Sequence, residues 1–469
     1  MTLLSLPFLG LCLATLLLFY VVPSRAQILV LLAASVYFAW AWSWQALATL
    51  AFVVLANYFL ALGLPRHPRL LGWGVGLNVA LWISLRQSDF FTLQFLELLA
   101  RAGVQDTGPV PSLLPPVGLS FYVLSAISYL VDVRQGVLPP TRDLPAFGLF
   151  LGYFPKLLSG PIERARTFLP QLARRRVVDN QVLTRSLARI VLGLTRKVVF
   201  ADTLRLMIPQ EVWTAPGPFP SPMLALWLLA AVVSIYNDFA GYTDIARGVS
   251  GLFGIELSPN FATPLFSRSF SELWTRWHIS LSQWLRDYVY LPLSRALLRR
   301  TSRPNHTLNL WIPPMVTMLA SAVWHGGGAS LLVWGAVNGV YLAVERIVAL
   351  QRPTLPLDRL PRHSQVLRSL VVLSLTLLGI APFLMPLPGT FAFLRALFSM
   401  DPIGPLDLRV LVVLVASFLL DWWQYHTRQE LPFLRWPRIA QAALLALVVL
   451  ILFLVTRADT VSPFVYQEF

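Results

Sequence analysis

Residues 3–22 read LLSLPFLGLCLATLLLFYVV, without a single charged side chain. An uncharged apolar run near 20 residues is what a helix needs to cross about 30 Å of hydrocarbon. Working outward from it, comparable runs recur along the chain, among them Leu310–Trp324 and Ala440–Val455. Spans are expected at roughly 3–22, 27–43, 45–64, 70–86, 116–133, 185–205, 221–237, 309–324, 328–349, 366–386, 407–424 and 437–456. The fold class this predicts is an all-α integral membrane protein. It is one polytopic domain over residues 1–469, with about 10–12 crossings.

Composition points the same way. Charged residues make up 13% of the chain and hydrophobic ones 56%, where a soluble domain carries about 25% charged. The net charge of +15 would suggest nucleic acid in a soluble protein. Here the basic residues sit in short loops between apolar runs, which fits retention on the cytoplasmic side and no nucleic-acid partner. Arg25, Arg66 and Arg69 follow the first and third spans, so the N-terminus is read as outside. The basic stretches Arg174, Arg175, Arg176, Arg185, Arg189, Arg196, Lys197 and Arg295, Arg299, Arg300, Arg303 then fall inside. Cys12 is the one cysteine, which excludes an intrachain disulfide and a cysteine metal cluster. The first run lacks a basic start and a small-x-small cleavage pattern, and is read as a retained span.

Two stretches are too polar or too broken to span, 142–184 and 238–308. They are expected to be re-entrant or cytoplasmic, and polar backbone at membrane depth must be buried in protein or line a wet cavity. Within the second, FSELWTRWHISLSQWLRDYVY (270–290) places Phe270, Trp274, Trp277, Leu281, Trp284 and Tyr288 at helical steps. Arg276, Ser280, Gln283 and Asp287 gather on another face, and His278 points nearer the aromatic one. The bland reading is an interfacial helix carrying a hydrogen-bonded structural histidine.

The second histidine, His325, lies in Trp324-His-Gly-Gly-Gly328 between two apolar runs. An ionisable group at membrane depth is costly and by default functional. The glycines beside it let a substrate or another backbone approach. A tight turn whose imidazole faces water is the plainer alternative. His-Gly-Gly-Gly also forms the oxyanion loop of some esterases, but the Gly-x-Ser-x-Gly they require is absent. His67, His306, His363 and His426 lie by Arg or Pro and are read as solvated. No His-Glu-x-x-His, carboxylate cluster or Walker loop is present, which leaves metal and nucleotide chemistry without a motif. Gly148/Gly152 and Gly335/Gly339 are read as helix-packing pairs. Asp238 and Asp244, at the end of a span, are expected to cap a helix or pair with nearby arginines, with orientation of a histidine as the minority reading.

Four blocks then resemble one family, the membrane-bound O-acyltransferases. They are Pro116-Val-Gly-Leu-Ser-Phe-Tyr122 with Ile127-Ser-Tyr129 and Asp132, and Phe154-Pro-Lys156 with Gly160-Pro-Ile-Glu-Arg164. The third runs from Asp238 to Asp244, through Asn260-Phe261 and Trp274-Thr-Arg-Trp-His-Ile-Ser280 to Arg286-Asp-Tyr288. The last is Trp324-His-Gly326 with Trp334-Gly335. The branch that transfers acetyl groups to alginate looks nearest, and D-alanyl transfer to teichoic acid is similar. Ser125 stands where relatives usually have glutamine, Asn338 where they have a further histidine, and Ser294-Arg295 where they have Gly-Gly.

The resemblance implies a ring of tilted helices around a central tunnel, with its core at about 110–350, in the bacterial inner membrane. It implies that His325 is catalytic and that His278 serves on the cytoplasmic side of the tunnel. The candidates for lining the tunnel or meeting substrate are Ser120; Asp238, Asp244 and Asn260; Trp274, Arg276, Trp277, Arg286 and Asp287; and Trp324, Gly326 and Asn338. No cofactor is expected to be tightly bound. The donor substrate would be acetyl-CoA or an acyl-carrier thioester. The acceptor side would be an extracytoplasmic acetyltransferase partner that serves a polysaccharide. A transporter using the histidines as a proton relay is the rival class. It predicts inverted repeats with broken helices in both halves, which this sequence does not display. A scaffold for a polysaccharide synthase, with both histidines dispensable, is a third.

Overall fold

A computed structural model describes residues 3–86, 116–174, 177, 179–304, 306–351, 356–399 and 406–455. The expected basic residues Arg175 and Arg176 and the long 87–115 segment lie outside the described residues. Among the described residues there are helices and no strand. Six helices are long and apolar enough to cross a membrane: Ser24–Trp42, Trp44–Gly63, Ser221–Leu252, Ala329–Gln351, Arg362–Leu384 and Leu408–Thr427. The chain is a multi-pass membrane protein. Each expected span falls on helical residues, 185–205 on Asn180–Leu194, the π-helical Thr195–Asp202 and Thr203–Met207 in succession, and the shorter helices include Leu6–Val21, Leu70–Arg86 and Leu119–Arg134. Boundaries follow local chemistry. Ser5 and Ser43 cap their helices by accepting from Phe8 N and Ala46 N, and Pro23 separates the first two.

The chain divides into two compact units, residues 1–186 with 246–258, and 187–245 with 259–469. In the first, an aromatic core is built from Phe8, Phe38, Phe154 and Phe253, with ring centroids 5.7–6.0 Å apart along Phe8–Phe38, Phe8–Phe154 and Phe154–Phe253. Asn57 and Asn78 exchange amide hydrogen bonds of 3.2 and 2.7 Å between two spans, the kind of polar contact that joins helices where no water is available. The Gly148/Gly152 pair packs against Leu32 and Leu50 of neighbouring helices. After the Leu144–Gly152 helix the backbone leaves helical form, and every residue of 153–164 is buried. Burial in protein is one of the two outcomes expected for this broken stretch. Glu163 accepts from Ser258 N (2.6 Å) and Ser258 Oγ (3.1 Å). Burial pushes its carboxyl up against those bonds and the nearby Lys156. Burial likewise pushes Lys156 down to about 8, opposed by Glu163.

One helix of the second unit is longer than expected. The span expected to stop at 237 belongs to a helix that runs from Ser221 to Leu252, with residues through Ile245 in this unit. Its carboxylates are tolerated because cations meet them. Lys197 Nζ lies 2.9 Å from Asp202 and 2.7 Å from Asp238. Arg196 lies 2.8 Å from Asp421 and 3.6 Å from Asp244. Both cations come from a π-helical turn, Thr195–Asp202, a geometry that often marks a site under special demand.

Candidate functional site

The segment 270–290 is not one helix. It forms Phe270–Arg276 and Ile279–Leu285, then a π-helical turn Arg286–Tyr290. The first begins with Ser269, whose hydroxyl accepts from Glu272 N. Glu272 in turn binds Arg268 and Arg276 at 2.8 and 2.7 Å. The break falls at Trp277, which is extended, and at His278, which has φ 41° and ψ 55°. This is the left-handed region that side-chain-bearing residues avoid. Two short helices on either side of the corner keep the apolar spacing, which is why periodicity alone reads straight through it.

Asn260 holds the corner. Its carbonyl accepts from Ile279 N (2.8 Å), and its Oδ1 accepts from Ser280 Oγ (2.7 Å) and Ser280 N (3.3 Å). Ala262 N adds a bond to Arg276 O (3.0 Å). His278 is thereby fixed with its ring 4.8 Å from Phe239 and 5.6 Å from Trp324. His278 lies outside the spanning helices. Desolvation, followed by the neighbouring His325, holds its imidazole well below the usual range, so it is neutral at pH 7.

His325 ends the Thr307–His325 helix. Gly326 and Gly327 follow with φ 142° and 72°, conformations glycine adopts without a steric cost. They turn the chain into the Ala329–Gln351 helix. The two helices then lie backbone to backbone. A Cβ at Gly335 would sit 2.7 Å from Met318 O, and one at Gly339 would sit 2.6 Å from Met315 Sδ. The glycine spacing is therefore a helix-packing device, as expected. This contact puts Trp334 5.5 Å from His325, while Trp324 stands at 4.7 Å and Phe383 at 5.1 Å. The imidazole sits among three aromatic rings.

Both histidines line one cavity of about 540 Å³ within the second unit, a size typical of ligand pockets. Trp274, Trp277, Arg286 and Asn338 line it too. Asn338 is buried and donates to Trp334 O (2.9 Å). The remaining candidates do other things. Trp324 packs against both imidazoles, and Gly326 makes the turn. Asp238 and Asp244 take up the ion pairs already described, and Asn260 the corner. Arg276 binds Glu272 and Thr263 and lies over Tyr425. Asp287 pairs with Arg286 at 2.9 Å. Ser120, in the first unit, accepts from Trp82 Nε1 at 3.0 Å. His67, His306, His363 and His426 are exposed, as read from their neighbours.

Sequence reasoning passed over Glu345 and Arg346, which also line the cavity. They sit near the end of the expected 328–349 span, and two adjacent charges inside an apolar run were the available signal. Among the described residues no group of three or more His, Cys, Asp or Glu side chains is placed to hold a metal ion.

Residues 80–384 match the model of MBOAT, the membrane-bound O-acyltransferase family. The chain is similar to the protein named Probable alginate O-acetylase in Pseudomonas putida, with 34% identity over 71% of this chain and 68% of that one. Its counterpart in Azotobacter vinelandii is 33% identical over 77% and 70%. A teichoic acid D-alanyltransferase of Streptococcus thermophilus is 30% identical over 59% and 67%.

Proposed function

The chain belongs to the membrane-bound O-acyltransferase family, and from that premise we propose that it moves an acetyl group from a cytoplasmic thioester to a hydroxyl of an extracytoplasmic acceptor, for O-acetylation of an alginate-like exopolysaccharide. The observation that carries the proposal is His325, 6% exposed, lining a cavity together with the second histidine. The higher similarity to alginate O-acetylases favours acetyl over D-alanyl.

His325 acts as general base. It takes the proton from the acceptor hydroxyl as that oxygen bonds to the thioester carbonyl carbon. The carbon–sulfur bond then breaks, and the imidazolium returns the proton to the leaving thiolate. General base catalysis contributes about 10²–10⁴-fold. The aromatic walls exclude water, which would otherwise compete with the acceptor. His278, held neutral, orients the donor. The thioester is a substrate, acetyl-CoA or an acylated carrier protein, and no resident cofactor is required. The positive-inside reading of the chain brings the donor from the cytoplasmic side of the inner membrane.

The test is transfer of radiolabelled acetyl from acetyl-CoA by the purified protein in nanodiscs, supplied with its extracytoplasmic partner. A parallel reaction offers a D-alanyl-loaded carrier protein. Transfer from acetyl-CoA should fall at least about 10²-fold in His325→Ala. Full transfer by that variant would remove His325 from the reaction, and label moving only from the D-alanyl carrier would make the acyl group D-alanine.

A further inference from the structure

We infer that Glu345 and Arg346 are positioning residues that hold the His278 segment against the cavity. The inference rests on the reading that His278 takes part in transfer. The segment carrying His278 is short and irregular, and a seven-residue helix has little stability of its own. Something must fix its two ends, and adjacent residues of the Ala329–Gln351 helix do so.

Glu345 takes the beginning. Its carboxylate accepts from Phe270 N (2.6 Å) and Ser271 N (3.1 Å), the first two amides of Phe270–Arg276. Those amides have no partner within their own helix. Negative charge at a helix start is also favoured by the helix dipole. One turn earlier, Tyr341 stacks on Phe270 with centroids 4.4 Å apart and planes at 20°. Arg346 takes the other end. Its Nη1 donates to Tyr290 Oη (2.7 Å), the last residue of the π-helical turn. The same nitrogen donates to Asn309 O (3.0 Å). That carbonyl is available because the residue four positions on, Pro313, has no N–H. A proline inside the His325 helix thus creates the acceptor that seats Arg346.

The Ala329–Gln351 helix therefore touches both halves of the site. Its first half is locked to the His325 helix through Gly335 and Gly339. Its second half grips residues 270 and 290, on either side of His278. The placement of the His278 segment relative to His325 is set along this one helix. Displacements near 1 Å in such a site cost up to about 10²-fold in rate.

The experiment uses the full chain in nanodiscs, with acetyl-CoA as donor, and compares Glu345→Ala, Glu345→Gln, His278→Ala and the double variant Glu345→Ala/His278→Ala. Amide hydrogen exchange is read in parallel. Glu345→Ala should lower kcat about 10-fold or more while donor KM stays within about twofold. Glu345→Gln, which keeps an acceptor oxygen, should recover most of the loss. Exchange should quicken at residues 270–280 and stay unchanged at 329–339. The double variant should transfer no more slowly than His278→Ala alone, because residues acting through one another are not additive. Additive losses in the double variant, unchanged exchange at 270–280, or a rise in donor KM at constant kcat would each overturn the assignment. Where His278→Ala transfers too slowly to measure, the exchange result decides. Wild-type transfer by His278→Ala would instead remove His278 from the reaction and leave the exchange prediction standing.

Discussion

Replacing His278 by glycine should leave a more stable protein than replacing it by alanine, the reverse of the usual order. His278 sits at φ 41°, ψ 55°, where a side chain costs roughly 1–2 kcal/mol and glycine pays none of it. Both substitutions remove the same ring, and with it edge contacts to Phe239 and Trp324 worth about 0.5–1.5 kcal/mol each. That loss cancels in the comparison. Glycine gives back about 0.4–1 kcal/mol through the greater freedom of its unfolded chain. The difference left is roughly 0.5–1 kcal/mol in favour of glycine. At about 2–4 °C per kcal/mol, this separates the two thermal midpoints by about 1–4 °C. His278→Asn should fall between them, since asparagine tolerates this conformation better than alanine. The assay is tryptophan-monitored unfolding of the three variants in one detergent at one heating rate, with acetyl transfer measured on the same preparations. Both the glycine and alanine variants should be impaired in transfer. An alanine variant as stable as the glycine one, or more so, would refute the strained corner held by Asn260.

Substituting His325→Phe keeps a ring of similar volume among Trp324, Trp334 and Phe383, so the thermal midpoint should move little while labelled transfer falls about 10²–10⁴-fold. The depressed titration of His278 has a pH consequence. Unfolded, the group titrates near about 6.5 and folded it titrates lower. Between those values the unfolded chain binds more protons, so stability is lost as the pH falls below about 6.5. The midpoint of the wild type should therefore drop between about pH 7 and pH 5 by more than that of His278→Gly, and equal slopes would contradict the buried neutral imidazole. A side chain at Gly335 meets Met318 O at 2.7 Å, so Gly335→Val should destabilise by about 1–3 kcal/mol and depress transfer as the two helices separate, as read by thermal midpoint and label incorporation. Removing the cation between two carboxylates in Lys197→Met should cost about 3–5 kcal/mol, visible as poor recovery of folded protein from the membrane, and normal yield and midpoint would show that this cluster does not hold the fold.

Much of the architecture could be read from hydrophobic runs alone, because lipid leaves a helix few alternatives: each backbone group must be satisfied inside its own segment. The helix ends at Ser5 and Ser43 and the glycine contacts of the Ala329–Gln351 helix follow from local chemistry visible in the sequence. The break at Trp277–His278 does not. It is imposed by Asn260, 18 positions earlier in the chain, and a long-range clamp leaves no trace in periodicity. The same holds for the helix through Leu252. Its two carboxylates look like the end of a span until Lys197 and Arg196, some 40 to 50 positions away, are brought against them.

Intramembrane ionisable groups are by default functional, and this chain shows how that default is divided. The family resemblance makes Asp238 and Asp244 candidates beside His278 and His325, while the sequence alone reads the two carboxylates as cap or ion-pair residues. The structure separates the two pairs by what surrounds them. The carboxylates are met by Lys197 and Arg196, away from the residues that line the cavity. Aromatic rings pack against the imidazoles, and both border the cavity. A carboxylate engaged by a cation away from the cavity is not placed to meet a ligand there, whereas an imidazole bordering the cavity can take a proton from one. Glu345 and Arg346 fall between these cases. They border the cavity, yet Glu345 binds backbone amides and Arg346 a carbonyl and a tyrosine hydroxyl, which is the chemistry of holding a segment in place more than of reacting with a substrate.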